Sequence, residues 1–163
     1  MTKKALLVVI SLFFLQGISW AKDQKVPYDI KFYTARGEEL SFKDLKGKVL
    51  LVNFFATYCP PCQVELVEFT ELYRKLHSKG LEIVSFMVDR GGEFLLPRII
   101  RSRGIEYYVA VADDTILSAF GWPDLLPTTF VVDREGRIVR KIVGFAGKKT
   151  LEQEVMALLE HQG

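Results

Sequence analysis

Residues 49–55 read Val-Leu-Leu-Val-Asn-Phe-Phe, an apolar run with one polar break. A short run without alternation predicts a central strand covered on both faces. Cys59-Pro60-Pro61-Cys62 follows. Proline is excluded from helix interiors but favoured in a first turn, so a helix is predicted to start here and run to about Lys79. Phe69, Leu72, Tyr73 and Leu76 recur at helical spacing, and Gly80 is the stop. Glu65, Glu68 and Glu71 lie early and Arg74, Lys75 and Lys79 late, an order expected to complement the helix dipole.

The same reading extends along the chain. Asp29 to Ser41 reads as a small hairpin turning at Arg36-Gly37, and Ile83 to Val88 as a second strand. Glu93 to Arg103 is a predicted helix in which Pro97 either makes a kink or marks the first turn. Tyr107 to Val111 fits a short strand, and Asp113 or Asp114 a cap for a short helix ending near Phe120-Gly121. Thr129–Val132 and Ile138–Val143 read as a hairpin around Asp133-Arg134-Glu135-Gly136, and Lys148 to His161 as a final helix. Helix crossovers imply parallel neighbours, and the late hairpin implies an antiparallel edge.

The first residues have a different pattern. Lys3 and Lys4 precede an almost wholly apolar run from Ala5 to Leu15, and Ser19-Trp20-Ala21 offers small residues for cleavage. Residues 1–21 therefore read as a signal peptide or a membrane anchor, and 22–163 as one domain in the periplasmic or extracytoplasmic space. The 163 residues are 49% hydrophobic and 26% charged, the balance of a globular chain. Of 22 basic and 20 acidic residues, Lys3 and Lys4 leave with the first segment, so the domain is neutral and no basic face points to nucleic acid.

Export also changes how the two cysteines read. Two thiols three positions apart at a helix N-terminus can close a disulfide across one turn. Unpaired backbone N–H groups there favour the thiolate of Cys59, which becomes the attacking group, while Cys62, one turn in, resolves the mixed disulfide. Three other readings stand beside this one. A structural disulfide gains little from so short a loop. Zinc needs four ligands, and His77 and His161 fit no ligand spacing with the pair. A buried inert pair does not suit the two prolines.

Two segments carry a family resemblance. Val52 to Glu65, around Cys59-Pro60-Pro61-Cys62, resembles the active-site segment of the TlpA/ResA-type (CcmG-like) thioredoxin-family proteins, and Leu126 to Gly136 resembles their cis-proline segment. The likeness spans the chain after about Val26. It implies a thioredoxin-like α/β fold: a central mixed sheet flanked by helices, with an N-terminal hairpin and a central insertion. It also implies an exported, often tethered domain that reduces disulfides, with some members serving cytochrome c maturation. Pro127 becomes the expected cis-proline, with Leu126 and Thr128 beside it as substrate contacts. The family's glycine two residues before this proline is replaced by Leu125, and the loop from Gly121 is longer by one residue, so Trp122 becomes a candidate contact, with a core or lid tryptophan as the alternative. A buried aspartate common six residues before the first cysteine is replaced by Asn53. Glu65 matches a glutamate that ResA-type proteins place near the thiols, and it is expected to take the proton of Cys62; the alternative is a solvated, dipole-facing residue.

Together these readings predict a monomeric protein-disulfide reductase. It needs no cofactor beyond the Cys59–Cys62 couple and no metal, acts on protein thiols and disulfides, and draws electrons from a membrane thiol reductase. An oxidase donating its disulfide is the alternative of the same fold. A peroxidase would want other residues at Val52 and Ala56, and a Sco-type copper chaperone a cysteine spacing one residue longer.

Overall fold

The structure is a computed structural model, and it describes residues 24–160. The segment read as signal or anchor, and His161, lie outside the described residues.

The elements in chain order are β1 (Lys31–Tyr33), β2 (Glu39–Ser41), β3 (Val49–Phe55), α1 (Pro60–Leu76), β4 (Leu81–Met87), α2 (Gly92–Arg103), β5 (Tyr108–Val111), α3 (Asp114–Ala119), β6 (Thr128–Val132), β7 (Ile138–Val143) and α4 (Lys148–Glu160). Five strands form one sheet in the order β5-β4-β3-β6-β7, and β1 and β2 form a separate hairpin. The β3–β4 and β4–β5 pairs are parallel, and β3–β6 and β6–β7 antiparallel. This is the mixed sheet of the thioredoxin fold.

Strand β3 is buried along its whole length because the sheet is covered on both sides. Side chains alternate across a strand, so its residues divide between two cores. Val49, Leu51 and Phe55 join Leu66, Phe69, Leu72 and Leu76 of α1 and Leu151 and Val155 of α4. Leu50, Val52 and Phe54 join Phe32, Phe42, Phe86, Phe120 and Phe130 on the opposite face.

The structure extends or corrects several expectations at their edges. Strand β4 begins at Leu81, because Leu81 pairs with Val49 at the start of β3. Pro97 lies inside α2 and outside its first turn. Asp113 is the cap of α3, accepting from the Ile116 N–H at 2.8 Å. Helix α1 passes into a short 3-10 turn that ends at Gly80 with φ of 109°, a conformation natural to glycine.

The dipole arrangement expected for α1 is not what its acids do. Its first turn has no acidic residue. The Glu68 carboxylate accepts the Lys148 backbone N–H at 2.7 Å, and Glu71 pairs with the Lys148 ammonium, so both hold the start of α4. Glu65 is buried.

Candidate active site

Cys59 is the N-cap of α1, with Pro60 and Pro61 opening the helix. Proline suits those positions because their N–H groups would have no intrahelical partner. Cys59 and Cys62 form a disulfide with Cα atoms 5.3 Å apart. The Cys59 Sγ accepts the Cys62 N–H at 3.3 Å. Cys59 is 7% exposed and Cys62 1%, so the first sulfur is the accessible one. In the reduced protein the same N–H and the positive helix end favour a thiolate at Cys59.

The loop before the disulfide is fastened from two sides. The Thr57 N–H donates to Asp89 Oδ2 at 2.9 Å, and the Thr57 hydroxyl donates to the other oxygen. Gln63 Nε2 donates to the Ala56 carbonyl at 3.1 Å.

Beneath α1 lies a buried polar row set by strand register. Asn53 of β3 is level with Ser85 of β4 and Thr129 of β6, and residues directly opposite share a face. Asn53 has the parity of Leu51 and Phe55, so this row faces α1. Asn53 Nδ2 donates to Glu65 Oε2 and to Thr129 Oγ1, both at 3.0 Å. The Ala146 N–H donates to the other Glu65 oxygen at 3.4 Å. Glu65 is 1% exposed, which excludes the solvated reading. Burial pushes its carboxyl up to about 7 against the pull of these hydrogen bonds. Helical geometry puts Glu65 one turn after Cys62.

The Leu126–Pro127 bond is cis. Thr128 pairs with Phe54, so the bond lies beside the end of β3 that leads to Cys59. Leu126 packs on the core that contains both cysteines. The Pro127 carbonyl is taken by the Gly144 N–H at 2.8 Å, whereas the Leu126 N–H and carbonyl have no partner among the described residues. Thr128 does not meet the expectation of a substrate contact. It is buried, its hydroxyl donates to the Leu125 carbonyl at 2.7 Å, and its backbone pairs with Phe54 and Val143. Trp122 is 54% exposed, in a left-handed conformation with φ of 50°.

Sequence reasoning missed Asp89, Thr57 and Ala146. Asp89 had a signal: it follows the end of β4, which runs parallel to β3, and so must emerge beside the loop that carries Cys59. Ala146 had none, since only the return of the chain before α4 brings its N–H to Glu65. A separate cleft of about 430 Å³ between β1 and α2 includes neither cysteine. Among the described residues no group of three His, Cys, Asp or Glu side chains is placed to hold a metal.

The chain matches the Redoxin family over residues 21–158. It is 34% identical to the thiol-disulfide oxidoreductase ResA of Bacillus cereus over 116 residues, 71% of this chain and 66% of that relative's length, just under two thirds. It is 32% identical to the ResA of Bacillus subtilis over 109 residues, 66% of this chain and 60% of that one. Among solved structures, a thioredoxin-family thiol:disulfide interchange protein from Chlorobium tepidum superposes with a TM-score of 0.78 at 31% identity, covering 86% of this chain and 99% of its own.

Proposed function

The chain belongs to the redoxin family, and on that premise we propose that it is an exported thiol–disulfide oxidoreductase that reduces disulfides of extracytoplasmic proteins through Cys59 and Cys62. The observation that carries this reading is the disulfide at the N-terminus of α1, with its more exposed sulfur accepting a backbone N–H. The names of the relatives support it. The resemblance to TlpA/ResA-type proteins, some of which serve cytochrome c maturation, makes cytochrome c precursors the proposed substrate class.

In the proposed cycle the Cys59 thiolate attacks one sulfur of a substrate disulfide. A mixed disulfide forms and the other substrate sulfur leaves as thiolate. Cys62 then gives up its proton and attacks the Cys59 sulfur. The intramolecular disulfide closes, the second substrate thiolate leaves, and two electrons have passed from protein to substrate. Glu65 is the proposed acceptor of the Cys62 proton, directly or through one water. A carboxyl near 7 holds and releases a proton at neutral pH, whereas an ordinary glutamate would be too weak a base. The unpartnered backbone of Leu126 is the proposed edge for an extended substrate strand. Trp122 and the exposed Leu125 border it.

No cofactor is needed beyond the couple itself, and a membrane thiol reductase is the proposed donor that reopens the disulfide. Export rests on the basic, apolar and small-residue order of residues 1–21. No helix of the described residues is long and apolar enough to cross a membrane.

The deciding experiment is the reduction potential of the Cys59–Cys62 couple, with turnover of a disulfide-bonded protein. A value near ~−270 mV supports the reductase, and a value near ~−120 mV would make the protein a disulfide donor. If the reduced protein exchanges with no disulfide, the reading fails.

A further inference from the structure

On the side of the disulfide away from the Leu126 loop, an open cleft of about 490 Å³ runs between α1 and α2. Thr57 and Gln63, which flank the Cys59–Cys62 segment, form one wall. Leu95, Arg98 and Ile99 of α2 form the other, with Arg103 at its end. Positions 95, 98, 99 and 102 share one helix face, which explains why a single side of α2 lines the cleft.

The charges in this cleft are one-sided. Arg98 and Arg103 are exposed and make no ion pair among the described residues. Neighbouring Arg90 and Arg101 make none either, and Glu93 is the one acid of α2. The carboxylate bonded to the Thr57 wall, Asp89, keeps its negative charge but is directed at Thr57, whose N–H and hydroxyl it accepts, and the two guanidinium groups of the opposite wall outnumber it. Gln63 spends its Nε2 on the Ala56 carbonyl, which leaves its Oε1 free to accept an N–H. The opposite flank has no such positive charge: Trp122 and Leu125 are exposed there, and the charged residue between them, Asp124, is acidic.

We propose that the α1–α2 cleft docks an acidic stretch of the protein substrate, next to the disulfide being exchanged. This rests on the thiol–disulfide reading above and adds a substrate preference to it. Arg98 and Arg103 would pair with carboxylates, while Gln63 Oε1 accepts a backbone N–H of the docked chain. A polypeptide fits better than a small anion. The cleft is open, its guanidinium groups are exposed, and the adjoining Tyr58 and Val64 are 73% and 52% exposed, so the surface continues past the sulfurs.

Two measurements test this. In the first, the oxidised protein, labelled with ¹⁵N, is titrated with a cysteine-free peptide rich in Asp and with its Lys counterpart. The acidic peptide should move the amides of Thr57, Gln63 and Leu95 to Arg103, and the Lys peptide should not. In the second, the reduced protein reacts with two disulfide-bridged peptides differing only in Asp or Lys beside the cysteines. The acidic one should react roughly fivefold to tenfold faster at low salt, with the gap closing near ~0.5 M NaCl. Arg98→Glu with Arg103→Glu should erase or invert the preference. Arg98→Gln with Arg103→Gln should erase it without adding repulsion. Neither pair should change the rate with neutral hydroxyethyl disulfide. A preference that survives both double variants overturns the proposal, as do amide shifts confined to other regions. So does an Arg-dependent rate seen with oxidised glutathione but with neither peptide, which would make the cleft a small-thiol site. Failure of all exchange, hydroxyethyl disulfide included, would sink the oxidoreductase reading, and the titration would still decide the cleft.

Discussion

The two faces of the central sheet are lined by alternate residues of the same strands. On one, Phe54, Phe86, Phe120 and Phe130 pack with ring centroids between 5.1 and 6.0 Å apart. On the other, Asn53 and Thr129 interrupt an aliphatic core, and a glutamate from α1 is driven into the gap. The phenylalanine face needs only volume and contact, so it can be dense and inert. The α1 face keeps buried polar groups that are costly unless hydrogen-bonded; Asn53, Glu65 and Thr129 bond one another, while the Ser85 hydroxyl in the same row has no hydrogen bond among the described residues. That arrangement leaves a carboxyl with an elevated pKa one helical turn from a buried sulfur. The difference places reactivity on one face and leaves rigidity to the other.

The largest expected effects separate the faces most sharply. Cys59→Ser should lower disulfide exchange by more than ~10³-fold, because the attacking sulfur is gone. Cys62→Ser should stop at the mixed disulfide, visible as a substrate adduct on a non-reducing gel. Phe54→Ala or Phe120→Ala should cost about 3–5 kcal/mol in denaturant unfolding, yet leave exchange per folded molecule unchanged. A large change in that rate would break the division between the faces.

Next comes Glu65. Its carboxyl holds a proton to about 7 when folded, against 4.5 as the ordinary value. Between those pH values the folded state binds more protons than the unfolded one, so the contribution of Glu65 to stability falls as pH rises and is fully lost above 7. The size is on the order of 3 kcal/mol. Glu65→Gln mimics the protonated carboxyl in being neutral, with a carbonyl oxygen that accepts and an amide group that donates. The difference in unfolding free energy between parent and variant should therefore grow in favour of the variant from pH 4.5 to 7. Exchange should fall by up to ~10²-fold, and its pH profile should lose the inflection near neutrality. Parallel stability curves, with an unchanged rate profile from pH 5 to 9, would make Glu65 a mere packing residue.

Much of this was legible in the residues. The order of strands and helices followed from apolar runs, two prolines after a strand and a few glycine stops. The cysteines and Pro127 followed from motifs. What escaped was everything that depends on which residues stand level across strands. Asn53 looked like the loss of a titratable group, yet register sets it beside Thr129 as the donor that holds Glu65. Thr128 looked like a substrate contact because it follows Pro127, but its parity turns it inward beside Phe54. Local pattern predicts that a position is buried. Only pairing tells which core receives it.

The two adjacent threonines allow the finest test of the comparison. Thr128 and Thr129 are both buried, and both hydroxyls are hydrogen-bonded. Replacing either by valine exchanges a hydroxyl for a methyl of similar size and should cost on the order of 1 kcal/mol through the lost hydrogen bond. By stability alone the variants should look alike. They differ in what the hydroxyl serves. Thr129 Oγ1 accepts from the amide that also donates to Glu65, and its own hydrogen bonding helps hold the Glu65 carboxyl down. Thr129→Val should therefore move the neutral inflection of the exchange profile upward, by less than about one pH unit. Thr128 Oγ1 closes the turn at Leu125 on the other face. Thr128→Val should leave that inflection in place, even if it loosens the Leu126 loop and weakens substrate binding. An equal shift in both variants would mean that the two faces are electrostatically continuous through the sheet. A shift with Thr129→Val alone would show that one residue of register separates the titrating face from the inert one.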